Sequence, residues 1–269
     1  MFRWFEHSQV YIPYGSIQET GAALGRPWED VWLRASDGTK LNAWFFPAET
    51  NSPRAQMAVL LCHGNAGNIS HRFDYYELLL GLGVNVFAFD YRGYGRSAGR
   101  PSEEGTYLDA EAGYRWLRER NFAATNIVVL GESLGGAIAT ELAVRVPVGG
   151  IILVSSFTSI PAVGAELFPM LPVRWICTIQ YDTLSKLPRI KVPVLIMHSR
   201  EDSIIGYHHG EKNFSAANQP KTFCELSGDH NDTLTTDLAT HRKGIDGFFA
   251  SISETAVETS KSAKKTKQE

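Results

Sequence analysis

NIVVLGESLGG, residues Asn126 to Gly136, is the stretch whose reading decides the fold. Ile127-Val128-Val129-Leu130 is a short β-branched run, and Ala137 to Ala143 has the composition of a helix. Between them lies Gly131-Glu132-Ser133-Leu134-Gly135-Gly136, so strand, sharp turn and helix succeed one another with Ser133 at the apex. Such a turn holds its central residue at strained dihedrals and brings neighbouring chain close on both sides. The positions two before and two after the serine must therefore be small, and both are glycine, Gly131 and Gly135. The serine is pushed outward rather than folded in.

Outward from this turn the pattern alternates. Residues 31–34 form an alternating run, Asp37-Gly38 is a hairpin signal, and residues 41–46 supply the partner strand, so an antiparallel pair opens the sheet. Residues 57–61 are continuously apolar, as a strand buried on both faces should be. Further strands are predicted at 84–89, 127–130, 150–154, 192–197 and 222–226. Helices are predicted over 103–120, 137–146, a region within 204–217, and from about 234 to 251. Repeated βα units imply a mostly parallel central sheet with helices on both faces, a single α/β domain over residues 1–252. Ligands of such sheets bind beyond the carboxyl ends of the strands, where the Ser133 turn sits.

One insertion, about 156–188, breaks the rhythm. It carries four prolines among Phe157, Leu167, Phe168, Met170, Leu171 and Trp175, too apolar for a solvated linker. It reads as a small cap over the strand ends, with Phe157, Phe168 and Trp175 as candidate substrate contacts; the plainer alternative is an extra packing element that never meets substrate. Residues 253–269 are Ser, Thr, Lys and Glu with almost nothing apolar, the composition of a disordered polar tail.

Composition narrows the function classes. With 269 residues, 43% hydrophobic and 20% charged, the chain can bury one large core. A net charge of -3 gives no basic footprint, which excludes nucleic acid as the expected partner. The longest apolar runs, such as 148–154, are strand length and far short of a bilayer span. Residues 1–7 are aromatic but interrupted by Arg3, Glu6 and His7, unlike a signal peptide, so the expected compartment is the cytoplasm, or a membrane surface if an N-terminal anchor precedes these residues. Cys62, Cys177 and Cys224 are odd in number and widely spaced, and read as free thiols with neither a disulfide framework nor metal spacing. No metal or other cofactor is expected.

An exposed serine is a poor nucleophile until a base takes its proton and a carboxylate orients that base. The order Ser, acid, His on loops after later strands is therefore required, and the chain supplies it. HSREDSII follows the strand at 192–197 and nominates Asp202, with Glu201 as the nearest rival. SGDHND follows the strand at 222–226 and nominates His230; Asp229 and Asp232 adjoin it too closely to reach its ring from the right side. Acyl transfer also needs two N–H donors aimed at the developing oxyanion. Leu134, after the nucleophile, is one; Asn65, in the Gly-containing loop HGNAGN after residues 57–61, is the other. His63 precedes Ser133 in the chain and reads as a brace for that loop.

Three weaker signals remain. DYRGYGRS, residues 90–97, lacks both the P-loop ending and the dinucleotide pattern, and reads as a structural turn in which Asp90 and Arg92 tie loops together. His208-His209 with Glu211 suggests a metal, but adjacent residues on a helix point apart, which favours a solvated face. Phe2, Trp4, Phe5, Tyr11 and Ile12 suggest packing across the sheet edge, with a membrane interface as the alternative.

Together HGNAGN, DYRGYGRS, GESLGG, HSREDSII and GDHND, in that order from about Val31 to Ala250, resemble the α/β-hydrolase superfamily. The pairing of HGNAGN with DYRGYG resembles the subgroup of depalmitoylating thioesterases and bacterial serine aminopeptidase-like relatives. The resemblance implies an α/β-hydrolase fold, a triad of Ser133, Asp202 and His230, and an oxyanion hole of Asn65 and Leu134. The sequence departs from it in showing neither the cysteine-rich N-terminal segment of depalmitoylating members nor the N-terminal membrane anchor of many relatives, which both count against a membrane-bound acyl-protein substrate, and in Ser199 where many relatives carry glycine. The resulting expectation is a serine hydrolase that cleaves carboxylic esters or thioesters of a small or lipid-like acyl substrate through an acyl-enzyme. A peptidase or amidase using the same triad is the second reading, and a non-catalytic binding protein the third.

Overall fold

The structure is a computed structural model that describes residues 2–265. The N-terminal segment forms α1 (Phe2–Val10) and a two-residue strand β1 (Ile12–Pro13), followed by the hairpin β2 (Glu29–Arg34) and β3 (Lys40–Phe46). Then come β4 (Ala58–Cys62), the short β5 (Ala66–Gly67), α2 (Phe73–Gly81), β6 (Asn85–Phe89), α3 (Glu103–Glu119), β7 (Ile127–Glu132), α4 (Leu134–Arg145) and β8 (Gly150–Val154). The cap insertion folds as α5 (Ile160–Leu167) and α6 (Val173–Ile176); β9 (Val194–Ser199), α7 (Tyr207–Ala216), β10 (Lys221–Leu226), α8 (Thr233–Thr236) and α9 (Leu238–Lys265) complete the chain.

Eight strands form one sheet in the order β10-β9-β8-β7-β4-β6-β3-β2. The expected hairpin is present, with Leu33 opposite Leu41 across Asp37-Gly38. β3 is antiparallel to both of its neighbours, so β2 points the same way as the parallel strands. Neighbouring strands from β6 through β4, β7, β8 and β9 to β10 pair in parallel.

Strands that read as uniformly apolar are divided between two cores by their period of two. Leu60, Phe87, Val129, Leu153 and Ile196 face one side, where α3 and α4 supply Tyr107, Leu117, Ile138 and Leu142. Leu61, Val86, Leu130, Ile152 and Met197 face the other, against Tyr76 and Leu79 of α2 and Ile245, Phe248 and Phe249 of α9. Each such large side chain, taken fully from water, contributes about 1.5–3 kcal/mol. The sandwich fixes the strands' carboxyl ends, and the loops that leave them inherit that precision. α3 begins as its sequence dictates: Ser102 caps it by accepting the Gly105 N–H, and Glu103 and Glu104 sit in the first turn against the helix dipole.

Two expectations are corrected. Composition predicts a last helix ending near Ser251 and a disordered tail beyond, whereas helix continues to Lys265; Ala, Glu and Lys favour helix as much as they favour solvation, so polarity alone does not end one. Residues 266–269 of that expected tail lie outside the described residues. The N-terminal aromatics do not pack across the sheet edge. β1 pairs with β5 in the HGNAGN loop, and α1 lies on the cap, with the Phe5 and Phe168 rings 5.8 Å apart.

Burial also sets an acid limit. His241, fully buried near Thr233, has its pKa pushed down to about 4 from an ordinary 6.5 because burial penalises the charged ring. Burial lowers His198 and His209 in the same sense. The unfolded chain binds these protons at higher pH than the native one, so the contribution is complete above pH 6.5 and is lost as pH falls towards 4. For His241 the slope is roughly 1.4 kcal/mol per pH unit in that window. Urea unfolding at pH 7 and pH 5 is expected to show the loss, and His241→Asn to flatten it; an equally steep decline in the variant would place its origin elsewhere.

Candidate active site

The turn after β7 is as cramped as the sequence predicts. A Cβ on Gly131 would strike the Gly135 carbonyl oxygen, and one on Gly135 would strike that of Cys62. Ser133 itself takes φ 50° and ψ −115°. Its backbone is held on both sides, the N–H donating to the Val154 oxygen at 2.9 Å and the carbonyl accepting from Gly136 N–H at 3.0 Å. These ties to β8 and α4 hold an L-residue at positive φ and keep the side chain turned out of the sheet.

The loops after β9 and β10 deliver the two other groups to the same rim. His230 Nε2 lies 3.1 Å from Ser133 Oγ, and His230 Nδ1 lies 2.8 Å from Asp202 Oδ2. The other Asp202 oxygen accepts backbone N–H groups from Ile204 at 3.0 Å and Ile205 at 2.7 Å. A carboxylate occupied in this way takes the Nδ1–H of His230, leaving the Nε2 lone pair facing the serine hydroxyl. Beneath Asp202, buried His198 donates Nε2–H to the Ile205 oxygen at 2.8 Å and closes the loop. The rival acids have other tasks. Glu201 Oε2 accepts the Gly228 N–H at 2.9 Å, and Asp229 accepts from Ser203 N–H and Oγ–H.

Asn65 and Leu134 line the same cavity as Ser133 and His230. As the first residue of α4, Leu134 has an N–H without an intrahelical acceptor, at the positive end of the helix dipole. The Asn65 N–H shares its peptide plane with the Gly64 carbonyl, held 2.7 Å from His63 Nδ1, and the Asn65 carbonyl of the next peptide accepts from Ile12 N–H at 3.1 Å and Tyr94 O–H at 2.9 Å. His63 braces its loop, with Nδ1 2.7 Å from the Gly64 oxygen and Nε2 3.5 Å from Asp90. In DYRGYGRS, Asp90 accepts the Ile69 N–H, and Arg92 reaches both Asp109 and Asp37, a structural turn as expected.

The cavity measures about 360 Å³ and runs from the serine beneath the cap. Phe157 and Phe168 line it, joined by Ile160, Val163 and Leu167. Trp175 does not; it is 90% exposed on α6, because that short helix turns its aromatic face away from the sheet. Gln9, Val10 and Ile12 close another wall, which no catalytic motif marks because its partners lie far along the chain. Glu6 secures that wall to the cap. Burial raises its pKa, but hydrogen bonds from Cys177, Ile179 and Thr178 outweigh this and hold the carboxyl below its usual range. The three cysteines are free thiols; Cys62 is buried and the other two are half-buried.

Glu166, His208 and His209 correct a further expectation. The two imidazoles do not point apart; their centroids are 4.4 Å from each other and both face Glu166 of α5, not Glu211. Their ligand atoms lie within 4.8 Å of one another, close enough for a metal. However, His209 Nδ1 accepts the Thr158 N–H at 3.1 Å, so the ring proton sits on Nε2 and points at Glu166. Coordination through Nε2 would drive that proton onto Nδ1, against the Thr158 N–H. The trio is therefore a hydrogen-bonded clasp between cap and body.

Comparison with known proteins agrees with this fold. Residues 53–177 match the Hydrolase_4 family model, described as serine aminopeptidase, S33. The uncharacterized protein Rv2307c of Mycobacterium tuberculosis is 35% identical over 260 residues, covering 96% of this chain and 91% of its own length. The Arabidopsis thaliana alpha/beta hydrolase domain-containing protein WAV2 is 35% identical over 258 residues, covering 85% of this chain and 82% of its own. Among solved structures, the Pyrococcus furiosus esterase Pf2001 superposes with a TM-score of 0.73 at 21% identity, over 90% of this chain and 97% of the esterase.

Proposed function

The chain belongs to the α/β-hydrolase superfamily, and from that premise we propose that it is a serine hydrolase cleaving carboxylic esters or thioesters of apolar acyl chains. The observation that carries the reading is the unbroken line Ser133 Oγ, His230, Asp202 at the floor of an apolar cavity. His230 Nε2 takes the hydroxyl proton as Ser133 Oγ attacks the acyl carbon, and Asp202 stabilises the imidazolium that results. The N–H groups of Asn65 and Leu134 receive the oxyanion. Collapse expels the alcohol or thiol with the proton held by His230, and water, activated by the same ring, releases the acid from the acyl-enzyme.

An aminopeptidase is the second reading, favoured by the description of the matching family model. A free α-ammonium needs a carboxylate to receive it. Among the described residues, those lining this cavity include no Asp, Glu, Lys or Arg, which supports acyl chains over peptide termini. The name of the Pyrococcus esterase points the same way. Hydrolysis of p-nitrophenyl esters from acetate upward, beside aminoacyl-nitroanilides, separates the two. Each methylene taken into the cavity contributes about 0.8 kcal/mol, so kcat/KM is expected to climb roughly fourfold per carbon until the space is filled. Nitroanilides turned over in preference to every ester would refute the acyl reading.

A further inference from the structure

We infer that the outer surface of the cap and α1 is a docking face for a bilayer containing anionic lipid, from which acyl substrates enter the cavity; the substrate half of this rests on the reading above. Four observations converge on it. First, the most exposed large apolar side chains belong to this one layer: Met170 at 93%, Trp175 at 90% and Trp4 at 76%. Met170 lies in the turn between α5 and α6, Trp175 on α6, and Trp4 on α1. Second, the layer is one body rather than loose chain. Phe5 meets Phe168, and buried Glu6 accepts from Thr178 N–H, Thr178 Oγ–H and Ile179 N–H at 2.7, 2.7 and 2.8 Å. Rigid exposure of several large apolar groups marks an interaction surface, whereas isolated ones need no explanation.

Third, the same layer roofs the cavity. Ile12, Leu167 and Ile204 line it and are also exposed, so the apolar wall continues to the outside at the mouth. Exposed Gln9 and Asn231 stand beside them, so a chain leaving lipid there would meet a mouth that is mostly apolar. Fourth, the charges fit. Exposed Arg3 and Arg174 stand beside Trp4 and Trp175, and this pairing of indole with cation suits the interfacial zone, where rings seat at the headgroups and guanidinium groups reach phosphate. Among the described residues no helix is long and apolar enough to cross a membrane.

Two variants test this, Trp4→Ser with Met170→Ser, and Arg3→Glu with Arg174→Glu. All four side chains are exposed, so the fold is retained. Flotation with vesicles of phosphatidylcholine alone, or equimolar with phosphatidylglycerol, reads binding, and p-nitrophenyl acetate turnover reads the active site. Wild type is expected to float with the mixed vesicles. The Trp4/Met170 variant should lose roughly tenfold or more of that partition. The arginine variant should lose the preference for phosphatidylglycerol, and both should keep acetate turnover. Failure of wild type to float while turnover persists would overturn the docking face and leave the hydrolase reading intact. Flotation without any turnover, in wild type, would do the reverse. A dimer in sedimentation velocity that the Trp4/Met170 variant dissolves would overturn the proposal by assigning the face to a second copy of the chain.

Discussion

Ser133→Ala is expected to lower kcat for p-nitrophenyl ester hydrolysis by about 10⁶, the scale seen when the nucleophile of such a triad is removed. The reason is local. Ser133 Oγ sits 3.1 Å from His230 Nε2, and the neighbouring hydroxyl of Ser156 donates to the Ser133 carbonyl at 3.3 Å. Alanine keeps the backbone and removes one atom, so the positive φ of the turn and its ties to Val154 and Gly136 persist. Thermal unfolding should therefore be nearly unchanged while turnover vanishes. A residual acceleration over water is expected, because the donors of Asn65 and Leu134 remain. A fluorophosphonate probe checks the assignment directly. It should label the wild type alone, and equal labelling of Ser133→Ala would move the nucleophile to another residue.

The second large effect is expected at the acid. Asp202→Asn should lower kcat by about 10⁴ with little change in stability. Asparagine can still present an oxygen to the Ile204 and Ile205 N–H groups, which fixes its orientation. Its amide nitrogen then faces His230 Nδ1, which must accept instead of donate. The ring proton moves to Nε2, and the side facing Ser133 can no longer take a proton. Glu201→Gln offers the contrast. Its oxygen holds the Gly228 N–H, a bond that glutamine preserves, so the loss should stay under about tenfold. Steady-state kinetics of both variants decide between the acids, and a Glu201→Gln deficit matching that of Asp202→Asn would break the assignment.

Much of this architecture was legible before any coordinates. The alternation of strand and helix signals, the hairpin at Asp37-Gly38 and the glycines around Ser133 are local facts, each enforced by sterics within a few residues. Motif order then nominated Asp202 and His230, because loops leaving neighbouring strand ends of a parallel sheet must converge. Periodicity failed where structure is decided at a distance. α1 and β1 are held in place by Asn65 and the 177–179 segment, both remote in sequence. Trp175 misled because an apolar residue in a cap has two faces available to it, and composition does not say which one looks inward. Adjacent His208 and His209 misled for the related reason that side-chain torsions let both rings turn to Glu166.

By itself the sequence determined the fold class and nominated a candidate nucleophile, acid, base and oxyanion donors, since each follows from short-range geometry or from the order of loops along a sheet. Only the tertiary structure decided which walls enclose the cavity, which way the His209 proton points, and that the N-terminal segment lines the cavity above the serine. Those outcomes depend on contacts between segments far apart in the chain, where the partner that satisfies a buried N–H or carboxylate is chosen by three-dimensional proximity and leaves no period behind.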